Sequence, residues 1–188
     1  MAALMFTVPE SVRRVLKEID VPGTPVSDDM HTTLVHLGDD VSVEQIGKTV
    51  SVLYEVTSTV LPFTLESQEV GTFDAGEEGV PIIAHVRSPE IHALKSQVTD
   101  ALDAAGIPYS KKFPEYRPHV TLAYGDSEPE VEDFEYEFSP ISWPATELLL
   151  WGANRGTGRL MVTFPFSLPR GKAAFHRAMV RVSMHARH

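Results

Sequence analysis

The chain has 188 residues, 43% of them hydrophobic, which suits one domain or two closely packed halves around a sizeable core. It contains no cysteine, which excludes disulfides, thiolate nucleophiles and Cys-based zinc sites, and it has no run of 18 apolar residues, which excludes a helical membrane span. The net charge of −10 is uneven: residues 160–188 carry five basic side chains (Arg170, Lys172, Arg177, Arg181, Arg187) and no acidic one, so the preceding residues hold 11 basic against 26 acidic, a net of −15.

The start, MAALMFTVPE, lacks a basic n-region and a small-residue cleavage site, and reads as a first strand rather than a signal peptide; a cytoplasmic location is the default expectation. LMFTVPESVRRVLKEI reads as strand, Pro-Glu, then an amphipathic helix with Val12, Val15, Leu16 and Ile19 on its apolar face. Proline belongs in a first helical turn, where its missing N–H costs nothing, and glutamate beside it complements the helix dipole. A loop, VPGTPVSDDM, leads to a strand, HTTLVHLG, and residues 43–60 read as a helix. PFTLESQEVGTF and GVPIIAHVR read as strands around the turn DAGEEG.

The first pattern then repeats. IIAHVRSPEIHALKSQV is again strand, Pro-Glu, helix, with Ile91, Leu94, Val98 and Leu102 at helical spacing from about Glu90 to Ala105, where Gly106 and Pro108 end it. The loop IPYSKKFPEYRP leads to a second strand, HVTLAYG. Finally ISWPATELLLWG and GRLMVTFPF read as a hairpin around ANRGTG. The expected architecture is α+β: two pseudo-two-fold-related strand-helix-strand units with antiparallel sheets around a central cleft, forming one two-lobed domain over residues 1–168. The basic tail, 169–188, is expected to be flexible, although an arm, a partner-binding helix or a connection to a further segment would also fit.

The repeat places two histidines in equivalent strands. Side chains alternate across a strand, so His31 shares a face with Thr33, and His119 with Thr121. Histidine titrates near neutrality and serves as general base or general acid. Phosphodiester cleavage needs one of each on opposite sides of phosphorus, and hydroxyls two residues on can donate to the non-bridging oxygens. No metal or other cofactor is required. A lone His-x-Thr carries little specificity; its recurrence in matching places of a repeat carries more.

HTTLVHLG and HVTLAYG resemble the paired His-x-Thr/Ser motifs of the 2H phosphoesterase superfamily, which includes bacterial 2′-5′ RNA ligase-like proteins, 2′,3′-cyclic nucleotide phosphodiesterases and phage enzymes that destroy cyclic oligonucleotide signals. The similarity covers roughly residues 1–166. It implies a two-lobed fold with a central cleft and a catalytic set of His31, Thr33, His119 and Thr121; which histidine is base and which is acid stays open. Beyond the two motifs the chain shows no subfamily signature, so the substrate is implied only as a class: a small RNA-like, 2′,3′-cyclic or cyclic oligonucleotide. The acidic body agrees, because it would repel long duplex nucleic acid, although acidity can equally serve solubility alone.

The loop before the second motif combines Lys111, Lys112 and Arg117 with Tyr109, Phe113 and Tyr116, a mixture suited to a phosphate and a stacked base, or to a lid. Lys111, Lys112, Tyr116, Arg117 and Trp151 are the expected substrate contacts, with Trp151 and Arg155 weaker candidates that could equally be core and turn residues; an ordinary surface loop is the plainer alternative. His36 points away from the catalytic face by parity, His85 falls in a strand that reads as buried, and His92 lies on a helix. A non-catalytic nucleotide-binding module on the same fold is the rival reading. A histidine metal site is disfavoured because His31 and His36 fall on opposite faces. Oligomeric state is not legible.

Overall fold

The computed structural model describes residues 1–26, 29–125, 136–154 and 158–167. The basic tail and Arg155 lie outside the described residues. In chain order the elements are β1 (Ala2–Thr7), α1 (Glu10–Lys17), β2 (Thr24–Pro25), β3 (His31–Gly38), α2 (Val43–Thr57), β4 (Phe63–Thr72), β5 (Val80–Arg87), α3 (Pro89–Ala104), β6 (His119–Gly125), β7 (Tyr136–Ala145), β8 (Glu147–Asn154) and β9 (Gly158–Pro165).

These form two antiparallel sheets, one in the order β3-β1-β8-β9 and the other β2-β6-β5-β4-β7. The α+β architecture expected from the repeat is therefore present. β1 and β5 each feed a helix that packs on the other sheet: α1 lies against β7 and α3 against β3. One continuous core joins Leu4, Leu34, Leu148 and Phe164 of the first sheet to Ile82, Val120, Leu65 and Trp143 of the second. The two motif strands, β3 and β6, run against each other where the sheets meet.

Local chemistry explains the boundaries. Ser42 caps α2, its hydroxyl accepting from the Gln45 N–H at 3.1 Å. Pro89 occupies the first turn of α3, and Gly106 closes it with φ +64 while the Ile107 N–H reaches back to the Leu102 carbonyl at 2.9 Å. The expected apolar face of α3 is buried throughout (Ile91, Leu94, Val98, Leu102), whereas α1 buries Val12 and Leu16 but leaves Val15 45% exposed. An eight-residue helix offers one narrow stripe, and Val15 falls outside it.

Two expectations need correction. ISWPATELLLWG is not one arm of a hairpin: it divides at Thr146, with β7 pairing β4 in the second sheet and β8 pairing β1 in the first. The hairpin proper is β8–β9. In addition, the first inter-element loop contributes β2, which pairs the outer edge of β6 through Thr24 and Pro25. Gly23 permits this approach: its φ is +91, and a Cβ there would run into the Tyr124 carbonyl.

Candidate active site

His31 and His119 are anchored identically. The ring Nδ1 of His31 lies 2.8 Å from the Asp29 carbonyl oxygen, and that of His119 lies 2.8 Å from the Arg117 carbonyl oxygen. A carbonyl only accepts, so each Nδ1 carries the hydrogen, and in each neutral ring Nε2 is the proton acceptor. Each anchor is the residue two before its histidine, where the chain enters the strand. The duplication thus extends to the hydrogen bond that sets each ring's tautomer and orientation.

Thr33 lies on the face of its strand that carries His31, and Thr121 on the face that carries His119, as strand alternation requires. Both strands then break the alternation at the same place. In β3, Leu4 is opposite Val35 and Met5 opposite Thr33, so Leu34 is an extra, bulged residue; in β6, Ile82 is opposite Ala123 and Ile83 opposite Thr121, so Leu122 is the equivalent bulge. A single extra residue flips every later side chain to the other face. His36 therefore turns back to the face of His31 and Thr33, and Tyr124, its counterpart in the second motif, turns to the face of His119 and Thr121. Strict parity had placed His36 on the opposite face; the bulge overturns that expectation and removes the parity argument against a histidine metal site. Among the described residues, however, no three His, Asp or Glu side chains are grouped so as to hold a metal ion.

His85 shares this face, because it stands directly opposite His119 in the β5–β6 ladder. Gly71 makes room for it: a Cβ there would come within 2.9 Å of the His85 Nε2. Burial lowers the His119 pKa, partly offset by its bond to the Arg117 carbonyl, and charge on His31, His85 or His36 lowers it further. Burial likewise lowers His36, with charge on His31 and Lys95 adding to the effect and Asp39 opposing it. For His85, burial is again the largest cause of a lowered pKa; Glu69 opposes it, and Arg117 and Arg87 reinforce it.

Around them, Phe73 meets the His119 ring edge-on at 4.7 Å, and the Arg117 guanidinium lies 5.1 Å from the Phe73 ring centre. Arg117 also lies 3.6 Å from Glu115. Trp151 is opposite Ala3, which is opposite His36, so Trp151 and His36 flank an alanine on one sheet face. Ala3, Met5 and Leu149 with Trp151 form an apolar cluster separate from the main core, and the neighbouring Met161 is 43% exposed. Burial, first, and then the neighbouring Glu78 raise the Tyr124 pKa, and Thr121 opposes them.

The remaining expected contacts are placed differently. Lys111 pairs with Asp103 at 3.6 Å and lies over the Tyr109 ring, and Lys112 lies over Phe113. Tyr116 is committed to protein contacts: its hydroxyl donates to the Thr33 carbonyl at 3.0 Å, and its ring packs on His92 and under Lys95. Sequence reasoning missed His36, His85, Phe73 and Tyr124. The apolar doublets Leu34-Val35 and Leu122-Ala123, which interrupt the alternation in both motifs, are the signal that would have exposed the first and the last.

No helix among the described residues is long and apolar enough to cross a membrane. A search of curated proteins finds no match. Among solved structures, the chain is similar to TT0787 of Thermus thermophilus, at 21% identity and a TM-score of 0.68, covering 88% of this chain and 97% of that one. It is similar to E. coli LigT in apo form at 20% identity and TM-score 0.62, covering 89% and 97% respectively. It is also similar to E. coli LigT complexed with 3′-AMP, at 20% identity and TM-score 0.56, covering 88% and 94%. These likenesses establish the fold. Residues 27–157, a span that includes both histidine motifs, match the family model of the 2′-5′ RNA ligase superfamily. The chain belongs to the 2′-5′ RNA ligase superfamily of phosphoesterases.

Proposed function

We propose that the protein is a metal-independent phosphodiesterase in which His31 and His119 act as the acid–base pair and Thr33 and Thr121 donate to the non-bridging phosphate oxygens. The substrate class is a short RNA-like, 2′,3′-cyclic or cyclic oligonucleotide. One observation carries the reading: both rings are held through Nδ1 by the carbonyl two residues earlier, on adjoining strands of opposite sheets. In-line displacement at phosphorus uses a base at the attacking oxygen and an acid at the leaving oxygen, and two Nε2 atoms are suited to both tasks. Neither proton transfer calls on a metal ion.

The surroundings support a nucleotide. Trp151 and the apolar cluster beside it offer a stacking face for a base, and Arg117 offers a cation for phosphate, with Lys111 and Lys112 further back along the same loop. The structurally similar E. coli LigT is complexed with 3′-AMP, a ligand of the size that the acidic body of this chain would admit. The test is product analysis after incubation with 2′,3′-cyclic mononucleotides, cyclic dinucleotides and short RNAs, all in the presence of a chelator. Wild type is expected to open or cleave at least one class, and His31→Ala and His119→Ala are each expected to remove most of that activity. Recovery of every compound unchanged would instead favour a binding module, and full activity in the double histidine variant would refute the acid–base assignment.

A further inference from the structure

β3 is the edge of its sheet, and its outward carbonyls need partners from elsewhere. Three come from the segment that leads to the second motif. The Lys95 ammonium donates to the Leu34 carbonyl at 3.1 Å, the Tyr116 hydroxyl donates to the Thr33 carbonyl at 3.0 Å, and the Ser110 N–H donates to the His36 carbonyl at 2.8 Å. Leu34 is the bulged residue, so its carbonyl falls outside the regular ladder. Lys95 also sits 4.5 Å from the centre of the Tyr116 ring, which meets His92 edge-on at 5.4 Å. Burial lowers the Lys95 pKa and raises that of Tyr116, which keeps the phenol a donor at every physiological pH.

The path between the two motif histidines through Tyr116 is short. From the His31 backbone it runs through Thr32 to the Thr33 carbonyl, crosses one hydrogen bond to Tyr116, and continues through Arg117 and Pro118 to His119. Arg117 on this path is the residue whose carbonyl holds the His119 ring. A half-buried aromatic ring packed on the core and held at its hydroxyl is a stiff connector, because its packing restricts its rotamers.

We infer that Tyr116, braced by Lys95, is a positioning residue that fixes the separation of the two motif histidines by tying the Thr33 carbonyl to the chain entering the second motif. This inference rests on the phosphodiesterase reading for its effect on rate, but its structural content is tested without turnover. A general acid and base must sit at one separation to span phosphorus, and a misplacement of about 1 Å costs on the order of 10²-fold. Tyr116→Phe removes one hydroxyl and keeps the ring. In the variant, kcat is expected to fall about ten-fold or more with KM within about two-fold of wild type, and Lys95→Met should shift kcat in the same direction. Thermal melts confirm that the comparison is made between folded proteins.

The activity-independent readout is the NMR titration of the His119 imidazole. Loosening the link lets the rings separate and admits water, so the His119 midpoint should rise in Tyr116→Phe. An unmoved titration midpoint overturns the inference whether or not any substrate is cleaved. So does a wild-type kcat in Tyr116→Phe, or a loss of rate that only tracks the unfolded fraction. If wild type cleaves nothing, the phosphodiesterase reading fails; the shifted titration still supports the link.

Discussion

At the residue scale, the chemistry depends on which ring nitrogen carries the hydrogen, and two backbone carbonyls decide it. Because the Asp29 and Arg117 oxygens occupy Nδ1, any proton that either ring exchanges in the proposed reaction comes and goes at Nε2. His119 has its pKa lowered, chiefly by burial, which in the proposed reaction suits it to start as the base. The acidic limb of the kcat/KM profile should then fall below the ordinary histidine value of about 6.5. His36→Asn should raise that limb only slightly, since a neighbouring charge is a smaller cause than burial; a large rise would show that charge dominates. Thr121→Ala removes a donor expected to act on the developing phosphate charge, and should lower kcat about 10²–10³-fold with little change in KM. Strand parity made the face shared by His31 with Thr33, and by His119 with Thr121, readable from sequence, because nothing interrupts the strand between each histidine and its threonine. The reading failed further on: His36 lies beyond the bulge, and one inserted residue is enough to reverse its side.

Among the elements, the inserted loops do as much positioning as the strands. The loop after α1 crosses to pair β6, and the loop after α3 crosses to pair the His36 carbonyl of β3, so each motif strand is edged by the other repeat's neighbourhood. Gly23→Ala tests the first crossing. Its φ of +91 and the Tyr124 carbonyl in its way predict a loss of about 1–3 kcal/mol, read as a lower urea midpoint. Leu94→Ala on α3 tests the packing that carries the second crossing. The side chain is 2% exposed, and its truncation should cost about 2–5 kcal/mol by the same measurement. α1 and α3 were legible because apolar spacing, the Pro-Glu starts and, for α3, the Gly106 stop agree. β2 was not, because two residues carry no periodicity and their partners, Tyr124 and Ala123, lie far along the chain. The split at Thr146 was hidden for a related reason: β7 and β8 are adjacent and both carry apolar residues, and only their partners, β4 and β1, send them to different sheets.

Over the whole molecule, gathering imidazoles on and beside the facing motif strands ties stability to pH. His36, His85 and His119 all bind their proton more weakly when folded than when unfolded. Between their lowered folded values and about 6.5 the unfolded chain binds more protons, so stability is complete above about pH 6.5 and declines as pH falls through that window. The melting temperature should drop on acidification from about pH 7.5 to about 5, and replacing His85 by Asn should flatten the dependence; an unchanged slope would show that His85 makes no net contribution.

The sequence by itself determined what is local or periodic. The helices with the Pro-Glu starts of α1 and α3, the two motif strands, the face shared by each His and Thr, and the α+β repeat all follow from spacing and residue chemistry within a few positions. Tertiary structure alone decided the rest: which sheet receives each strand, where the ladders slip by one residue, and which side chains from the loop before β6 lie, like Arg117, over Phe73 beside His119 and which, like Tyr116, turn to the edge of β3. Those outcomes depend on unpaired backbone carbonyls finding donors across large sequence separations, and no pattern within a single segment records that requirement.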